Sequence, residues 1–275
     1  MKLFLGLILA MMAIRGSAQS ITMMTYNIRL SLASDGPNAW DNRKENVAGQ
    51  IQFYESDIFG IQEGLPEQVD YLDSALQDYN FIGAGRDDGE RKGEFSAIYF
   101  KSEKFKLLQS GTFWLSPTPD KPSKGWDAAY PRVCTYGQFQ NLKSKEKFWV
   151  FNTHFDHVGD KARKESARLI LKKIGNLNHE GLPVILSGDL NLTPDQAPIQ
   201  ALAAEMKDSR LASKTAPFGP EGTWNGFDFN SPLDRRIDYI FVSMDVKVNK
   251  YAVLTDSQDQ NFLSDHLPVF VEIFF

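Results

Sequence analysis

Two short polar motifs beside apolar segments constrain the fold of this chain more than any other feature. The apolar run at residues 182–186 has the length and composition of a buried strand, and Asp189 and Asn191 follow it closely. A second motif, Asp265-His266, directly precedes another apolar stretch near the C-terminus. Polar groups at the ends of strands that the core must bury can project into one cleft. The sequence therefore predicts a single polar site at the edge of a sheet.

The order of the predicted elements indicates a mixed α/β fold in one domain. Strand-like segments follow one another without helices between about residues 95 and 153, and a helix with a buried stripe is predicted over about 160–177. A doubly wound parallel sheet would need a helix between successive strands, so two packed sheets with helices outside fit better. No linker, repeat or low-complexity tract interrupts the chain, so residues 19–275 are predicted to form a single domain.

The first 18 residues have the features of a secretory signal peptide. Lys2 supplies a positive start, residues 3–14 are almost wholly apolar, and residues 16–18 are the small residues Gly, Ser and Ala. The apolar stretch is shorter than the roughly 20 residues that a spanning helix needs. We therefore expect cleavage after Ala18, a secreted or periplasmic location, and no integral membrane segment in the mature chain.

Charge and cysteine content narrow the functional classes. The chain has a formal net charge of −5, and the first 18 residues hold two basic residues and no acidic one, so the mature chain would carry −7. No basic run exceeds two residues, which does not favour tight binding along a long polyanion. The single cysteine, Cys134, excludes an internal disulfide framework and a cysteine-based zinc site.

The polar residues at the predicted strand ends form an oxygen-rich set with two imidazoles. Hard oxygen ligands suit Mg²⁺ or Mn²⁺ better than zinc. A divalent ion with carboxylates and histidines is suited to water attack on a phosphoester. The set consists of Asn27, Glu63, His154, Asp156, Asp189, Asn191, Asp238, Asp265 and His266.

Six motifs containing these residues occur in a fixed order along the chain. They are Met24-Thr25-Tyr26-Asn27-Ile28, Gln62-Glu63, Asn152-Thr153-His154, Gly188-Asp189-Leu190-Asn191, Arg236-Ile237-Asp238-Tyr239-Ile240 and Ser264-Asp265-His266-Leu267-Pro268-Val269. Over about residues 20–275 this set resembles the endonuclease/exonuclease/phosphatase superfamily, which includes deoxyribonuclease I and exonuclease III. The resemblance implies a four-layer α/β sandwich, in which two facing mixed β-sheets are flanked by helices and the site lies at one end of the sheets.

The resemblance also implies a metal site. Glu63 would be the principal Mg²⁺ ligand, with Asn27 and Asp265 nearby, and Mn²⁺ could substitute. Several nucleases of the superfamily carry an aspartate two residues after the strand asparagine, whereas this chain has Arg29 there. Arg29 could pair with a site carboxylate or contact phosphate as a substrate-binding residue.

The catalytic roles follow from the same resemblance. Asp189 would orient or deprotonate the attacking water, and Asn191 would contact the phosphoryl group. His266, oriented by Asp238, would contact the phosphate, while His154 would stabilise developing charge or assist the leaving group. From the residues alone, Asp238 could instead pair with one of the two preceding arginines, and His154 could be a core histidine.

Two further segments are candidates for substrate contacts. Arg86 lies in the glycine-rich loop 83–89, which could cradle a phosphate or simply form a flexible turn. Trp224 could stack on a ring of the substrate or pack in the core. Residues 114–132 resemble a bacterial secreted branch of the superfamily whose substrates are poorly defined.

The sequence as a whole predicts a secreted, Mg²⁺-dependent phosphoesterase that hydrolyses a phosphomonoester or phosphodiester with an activated water. A small or head-group phosphoester is the expected substrate, and no obligate protein partner is expected. One alternative is an extracellular nuclease acting on DNA or RNA. The other is a non-catalytic binding protein that retains the fold, which the intact set of acids, amides and histidines disfavours.

Overall fold

The computed structural model describes residues 20–275. The signal peptide predicted over residues 1–18 lies outside this range. Within it, none of the helices combines the length and apolar character that a bilayer crossing needs.

The described chain contains five α-helices, a short 3₁₀ helix (Ala33–Asn38) and fourteen strands. The helices are α1 (Trp40–Tyr54), α2 (Pro66–Ala75), α3 (Asp160–Leu177), α4 (Ala197–Glu205) and α5 (Ser209–Ala212). The strands are β1 (Ile21–Asn27), β2 (Ile58–Gln62), β3 (Tyr79–Ile82), β4 (Ile98–Lys101), β5 (Phe105–Trp114), β6 (Val133–Asn141), β7 (Lys147–His154), β8 (Val184–Asp189), β9 (Lys207–Asp208), β10 (Asp238–Val242), β11 (Lys247–Val253), β12 (Ser257–Gln258), β13 (Asn261–Phe262) and β14 (Val269–Phe274).

Twelve of these strands form two mixed six-stranded sheets. The first has the order β11-β14-β1-β2-β4-β3, and the second has the order β5-β6-β7-β8-β10-β9. Each sheet contains one parallel pair, β1 with β2 and β7 with β8, and its other pairs are antiparallel. The parallel pairs are joined through α1 and α3, because a parallel connection needs a crossover long enough to hold a helix.

The main core lies between the two sheets. Met23 and Ile58 of the first sheet belong to the same buried cluster as Val150, Ile185 and Ile240 of the second. Side chains alternate between the two faces of a strand, and the pattern of β1 and β8 follows this rule because neighbouring residues enter different cores. The facing sheets are therefore held together by the side chains that point inward.

Two outer cores attach the helices. Val47 of α1 and Leu72 of α2 pack with Met24 on the outer face of the first sheet. Ile170 of α3 packs with Leu186 on the outer face of the second, together with residues of α4. The four layers are thus helices, sheet, sheet and helices, which confirms the predicted sandwich.

The strand register brings the polar motifs to one end of the sandwich. In the first sheet, Asn27 pairs with Gln62 at the ends of β1 and β2. In the second, Asp189 pairs with His154 of β7 on one side and with Asp238 of β10 on the other. Parallel strands that end together place their last residues side by side, so residues distant in sequence meet at one edge.

Candidate active site

A cleft of about 590 Å³ opens at this end of the sandwich. Nine of the eleven predicted site residues line it, while Asn27 and Asp238 are buried directly beneath. The nine are Arg29, Glu63, Arg86, His154, Asp189, Asn191, Trp224, Asp265 and His266.

The floor of the cleft begins with a network centred on Asn27. Its Nδ2 donates to Glu63 Oε1 at 3.1 Å and to Asp189 Oδ2 at 3.0 Å, and its Oδ1 accepts from the backbone N–H of Arg29 at 3.0 Å. The Leu30 N–H donates to the other Glu63 oxygen at 3.1 Å. Asn27 therefore links the two sheets and fixes two carboxylates, while its own oxygen faces the backbone.

Arg29 takes the place that an aspartate holds in several nucleases, and it pairs with acids. Its guanidinium makes two hydrogen bonds to Asp35, of 3.0 and 3.1 Å. Its Nη1 also lies 4.0 Å from Glu63 Oε2 and 3.8 Å from Asp265 Oδ2. Burial raises the pKa of Asp265, while the charges of His266 and Glu63 act on it in opposite directions. Arg29 was predicted either to pair with a site carboxylate or to contact phosphate, and in the structure it lies beside the carboxylates of Glu63 and Asp265.

The donor groups on this floor are compatible with a hard divalent cation. Carboxylate oxygens of Glu63 and Asp189 lie within 4.8 Å of each other and of a ring nitrogen of His154, but the contact of His154 with Arg132 makes its ring a hydrogen-bonding group and not a ligand. Asp265 adds a further carboxylate beside Glu63 through their shared neighbour Arg29. Carboxylate oxygens dominate this set, and they are the ligands that Mg²⁺ and Mn²⁺ prefer.

Asp189 sits at the centre of the floor because the backbone before it approaches the neighbouring strand closely. Gly188 has a φ of +144°, and a Cβ there would lie 1.9 Å from the Thr153 carbonyl oxygen, so only glycine fits. Asp189 Oδ1 accepts from the Asn191 N–H at 2.8 Å. Burial and the charge of Asp238 raise the pKa of Asp189 to about 7.

His154 is held in one tautomer by an arginine that the sequence did not single out. Arg132 Nη1 lies 2.9 Å from His154 Nδ1. A guanidinium only donates, so Nδ1 must accept and the ring proton lies on Nε2. That nitrogen lies 3.4 Å from Asp189 Oδ2, which can accept its proton, while the nearby Asn191 Nδ2 donates to the Phe155 carbonyl oxygen at 3.1 Å. Burial lowers the pKa of His154 well below its usual range, and the charge of Arg132 lowers it further, so the ring is a neutral N–H donor.

His266 is in the opposite charge state. Its Nδ1 lies 2.9 Å from Asp238 Oδ2, which also accepts from Thr223 Oγ1 at 2.6 Å. Burial disfavours the charged ring, but the charges of Asp238 and Asp189 outweigh it and raise the pKa of His266 well above its usual range. His266 Nε2 therefore carries a proton 3.8 Å from Asp189 Oδ2. The predicted Asp238–His266 pair is present, and Arg236 pairs with Asp208 instead.

Comparison with known proteins decides the family. The model of the endonuclease/exonuclease/phosphatase family matches residues 24–266. The chain belongs to this family. A mannosyl-6-phosphatase of Bacteroides thetaiotaomicron is 41% identical, with a TM-score of 0.90 over 93% of this chain and 100% of that one. Another family protein of the same organism is 40% identical, with a TM-score of 0.90 over 94% and 98% of the two chains.

More distant relatives share the fold or part of the sequence. The catalytic domain of human Nocturnin is 20% identical, with a TM-score of 0.74 over 93% of each chain. An uncharacterized protein of Acanthamoeba polyphaga mimivirus is 28% identical over 159 residues, which are 55% of this chain and 59% of that protein. The alignment thus spans little more than half the length of this curated relative.

One wall of the cleft in this family member is built from residues that the motifs did not reveal. Arg86 forms an ion pair of 2.7 Å with Glu94, and its guanidinium lies over the Tyr130 ring at 5.1 Å. Tyr130 stacks on His157, whose Nδ1 lies 3.1 Å from Arg132 Nη2. Arg86 lines the cleft as predicted, but its Nη1 is already paired with Glu94, so fewer of its N–H groups are available to a substrate. The sequence signals for this wall were the glycine-rich loop 83–89 for Arg86, the resemblance of residues 114–132 to a bacterial secreted branch, and the position of His157 three residues after His154.

Asp156, the remaining acid of the predicted strand-end set, organises a loop. Its carboxylate accepts from the backbone N–H groups of Ala129 at 3.0 Å, Val158 at 3.0 Å and Gly159 at 2.7 Å. These bonds tie the Tyr130 loop to the start of α3. The contacts of Asp156 are therefore those of a structural residue.

Proposed function

We propose that this protein is a metal-dependent phosphatase that hydrolyses small phosphomonoesters, chiefly sugar phosphates, outside the cytoplasm. The observation that carries the proposal is the position of Asp189 Oδ2, 3.4 Å from His154 Nε2 and 3.8 Å from His266 Nε2. A base between two N–H donors suits water attack on phosphorus, because the donors stabilise negative charge where it develops.

A divalent cation is part of the proposal, and Mg²⁺ is the preferred ion. Glu63 and Asp265 would hold it, with Asn27 keeping the Glu63 carboxylate in place. When bound, the ion would supply positive charge that offsets the charge of the phosphate. Arg29 beside these two carboxylates limits their repulsion.

The residues of the chain divide the proton handling among them. Asp189 accepts a proton from the attacking water as the new oxygen–phosphorus bond forms. The ester bond breaks with its electron pair on the leaving oxygen, which takes a proton from solvent and departs as the free alcohol. A pKa of about 7 is suited to this task near neutral pH. His266 and His154 each donate a hydrogen bond to phosphoryl oxygens, one as an imidazolium and the other as a neutral ring.

The substrate class rests on two observations. The relative that is 41% identical along nearly the whole chain is a mannosyl-6-phosphatase. The wall formed by Arg86, Tyr130 and His157 also closes one side of the cleft, which favours a compact substrate over a long duplex. The extracellular location rests on the predicted signal peptide at residues 1–18.

A substrate panel tests the proposal. Purified protein is assayed on mannose 6-phosphate, glycerol phosphate, a phosphodiester, plasmid DNA and RNA, with Mg²⁺, Mn²⁺ or EDTA. The Asp189→Asn variant is the matched control for contaminating phosphatases. We expect metal-dependent release of phosphate from the monoesters, fastest for the sugar phosphate, and none from the variant.

Two results would overturn the proposal. Rapid cleavage of DNA or RNA without turnover of any monoester would identify a nuclease. Phosphatase activity that persists in EDTA would show that the reaction does not need a divalent cation.

A further inference from the structure

Four arginines line the cleft, and one of them differs from the rest. Arg29 and Arg86 each pair with a carboxylate, and Arg132 bonds to two histidines. The side chain of Arg235 makes no hydrogen bond or ion pair within residues 20–275 and is exposed at the cleft. Its five N–H donors are therefore available to a ligand.

Arg235 is nevertheless held in place, because it stacks on an aromatic ring. Its guanidinium carbon lies 5.2 Å from the centroid of the Trp224 ring. Stacking of this kind orients the guanidinium without using its N–H groups. Trp224 is 36% exposed and also lines the cleft. Together the two side chains present an apolar ring beside a row of donors.

Backbone hydrogen bonds connect Arg235 and Trp224 to the residues on the floor of the cleft. The Arg235 carbonyl accepts from the N–H groups of Thr223 at 2.9 Å and Trp224 at 3.2 Å. Thr223 Oγ1 in turn donates to Asp238, and Trp224 forms a β-bridge with His266. The position of the pair is thus set relative to His266, which would bind the phosphate, and to Asp238, which orients His266.

We propose that Arg235 and Trp224 form the subsite for the leaving group, and that this group is a hydroxyl-rich ring such as a pyranose. Guanidinium donors match sugar hydroxyl oxygens, and the indole offers an apolar surface to the C–H groups of the ring. An aromatic leaving group would use the indole but leave the donors of Arg235 without an acceptor. This inference rests on the proposed phosphatase function and adds the residues that select the substrate.

The test compares two substrates that share the phosphate and differ in the leaving group. Mannose 6-phosphate offers hydroxyls, whereas phenyl phosphate offers none. The variants are Arg235→Ala, Arg235→Lys and, as a control, Arg168→Ala, which changes an exposed arginine of α3 outside the cleft lining. Because a site that hydrogen-bonds a substrate hydroxyl loses that bond on truncation, Arg235→Ala should raise KM for mannose 6-phosphate roughly 10-fold.

In the Arg235→Ala variant, kcat for mannose 6-phosphate should stay within about 3-fold of wild type, because Arg235 would bind the sugar equally in the ground state and the transition state. For phenyl phosphate, both kcat and KM should stay within about 3-fold of wild type, because this substrate has no hydroxyl for Arg235 to bind. Arg235→Lys should recover part of the affinity, and Arg168→Ala should match wild type on both substrates. Isothermal titration of mannose 6-phosphate in EDTA gives a readout without turnover, in which Arg235→Ala should bind roughly 10-fold more weakly.

The outcomes separate the two claims. If wild type hydrolyses no monoester, the proposed function fails. The leaving-group subsite is wrong if wild type is active but Arg235→Ala has the same KM for mannose 6-phosphate as wild type. It is also wrong if Arg235→Ala raises KM equally for mannose 6-phosphate and phenyl phosphate. Equal affinity of wild type and Arg235→Ala in the titration would also overturn the subsite.

Discussion

The pair formed by Asp238 and His266 allows a sharp test, because Asp238→Asn removes charge with little change of shape. Asp238 Oδ2 accepts both hydrogen bonds, from His266 Nδ1 and Thr223 Oγ1, while its buried Oδ1 has no hydrogen bond in the described chain. An asparagine can present its one oxygen to both donors and place its NH₂ where Oδ1 now lies. The substitution therefore isolates the contribution of the negative charge.

The size of that contribution follows from the distance. Opposite unit charges 2.9 Å apart attract by about 6 kcal/mol at an effective dielectric constant of about 20. Desolvation of two buried groups cancels much of this. If roughly 2–3 kcal/mol remains in the transition state, kcat/KM falls roughly 30- to 150-fold. His266→Ala removes the donor itself, and we expect a loss of about 100- to 1,000-fold.

The decisive measurement is the double variant, assayed as kcat/KM on a sugar phosphate. Asp238 acts on the phosphate through His266, and its other effect is to raise the pKa of Asp189. Assayed above about pH 7, where Asp189 is largely ionised in every variant, the double variant should be within a few fold of His266→Ala alone. Asp208→Asn is the matched control, because Asp208 also loses a buried charge, paired with Arg236, but does not line the cleft. It should lower the melting temperature while leaving kcat/KM within a few fold of wild type.

A multiplicative loss in the double variant would refute the reasoning, since it would mean that the two residues act independently. Asp238→Asn with the kcat/KM of wild type would equally show that its charge does not act through His266. Melting temperatures of all variants confirm that each comparison is made between folded proteins.

Three further predictions concern the floor of the cleft. Glu63→Gln should weaken Mg²⁺ binding by at least roughly 10-fold in calorimetric titrations and leave the melting temperature in EDTA nearly unchanged; normal metal affinity would contradict its assignment as a ligand. Asp189→Asn should lower kcat by about 100- to 10,000-fold with little change in KM, and steady-state kinetics showing a loss in KM alone would exclude it as the base. Arg132→Met should let the proton of His154 occupy Nδ1, which ¹⁵N NMR of the imidazole detects, whereas Arg132→Lys should keep it on Nε2. An unchanged tautomer in Arg132→Met would show that Arg132 does not control it.

The sequence by itself determined the fold class and the floor of the site. The apolar run before Asp189 must be buried, and a polar residue at the end of such a strand must lie at the edge of the sheet. The same logic applies to Asn27, Glu63 and His154, whose strands end at that edge. The element pattern predicted two packed sheets with helices outside, and the resemblance carried by the six ordered motifs implied the four-layer sandwich. The comparisons confirm the family.

The partners of the long cationic side chains were decided only by the tertiary structure. Arg29 forms an ion pair with Asp35, Arg86 forms one with Glu94, and Arg132 contacts two histidines. No local sequence pattern predicted these pairs. The two-residue period of a strand specifies which face of the sheet a side chain points to. The partner of an arginine depends instead on which loops the fold brings within the several ångströms that its side chain spans. Whether Arg235 is paired or left available to a substrate is consequently a property of the folded cleft, where several loops and two sheets meet.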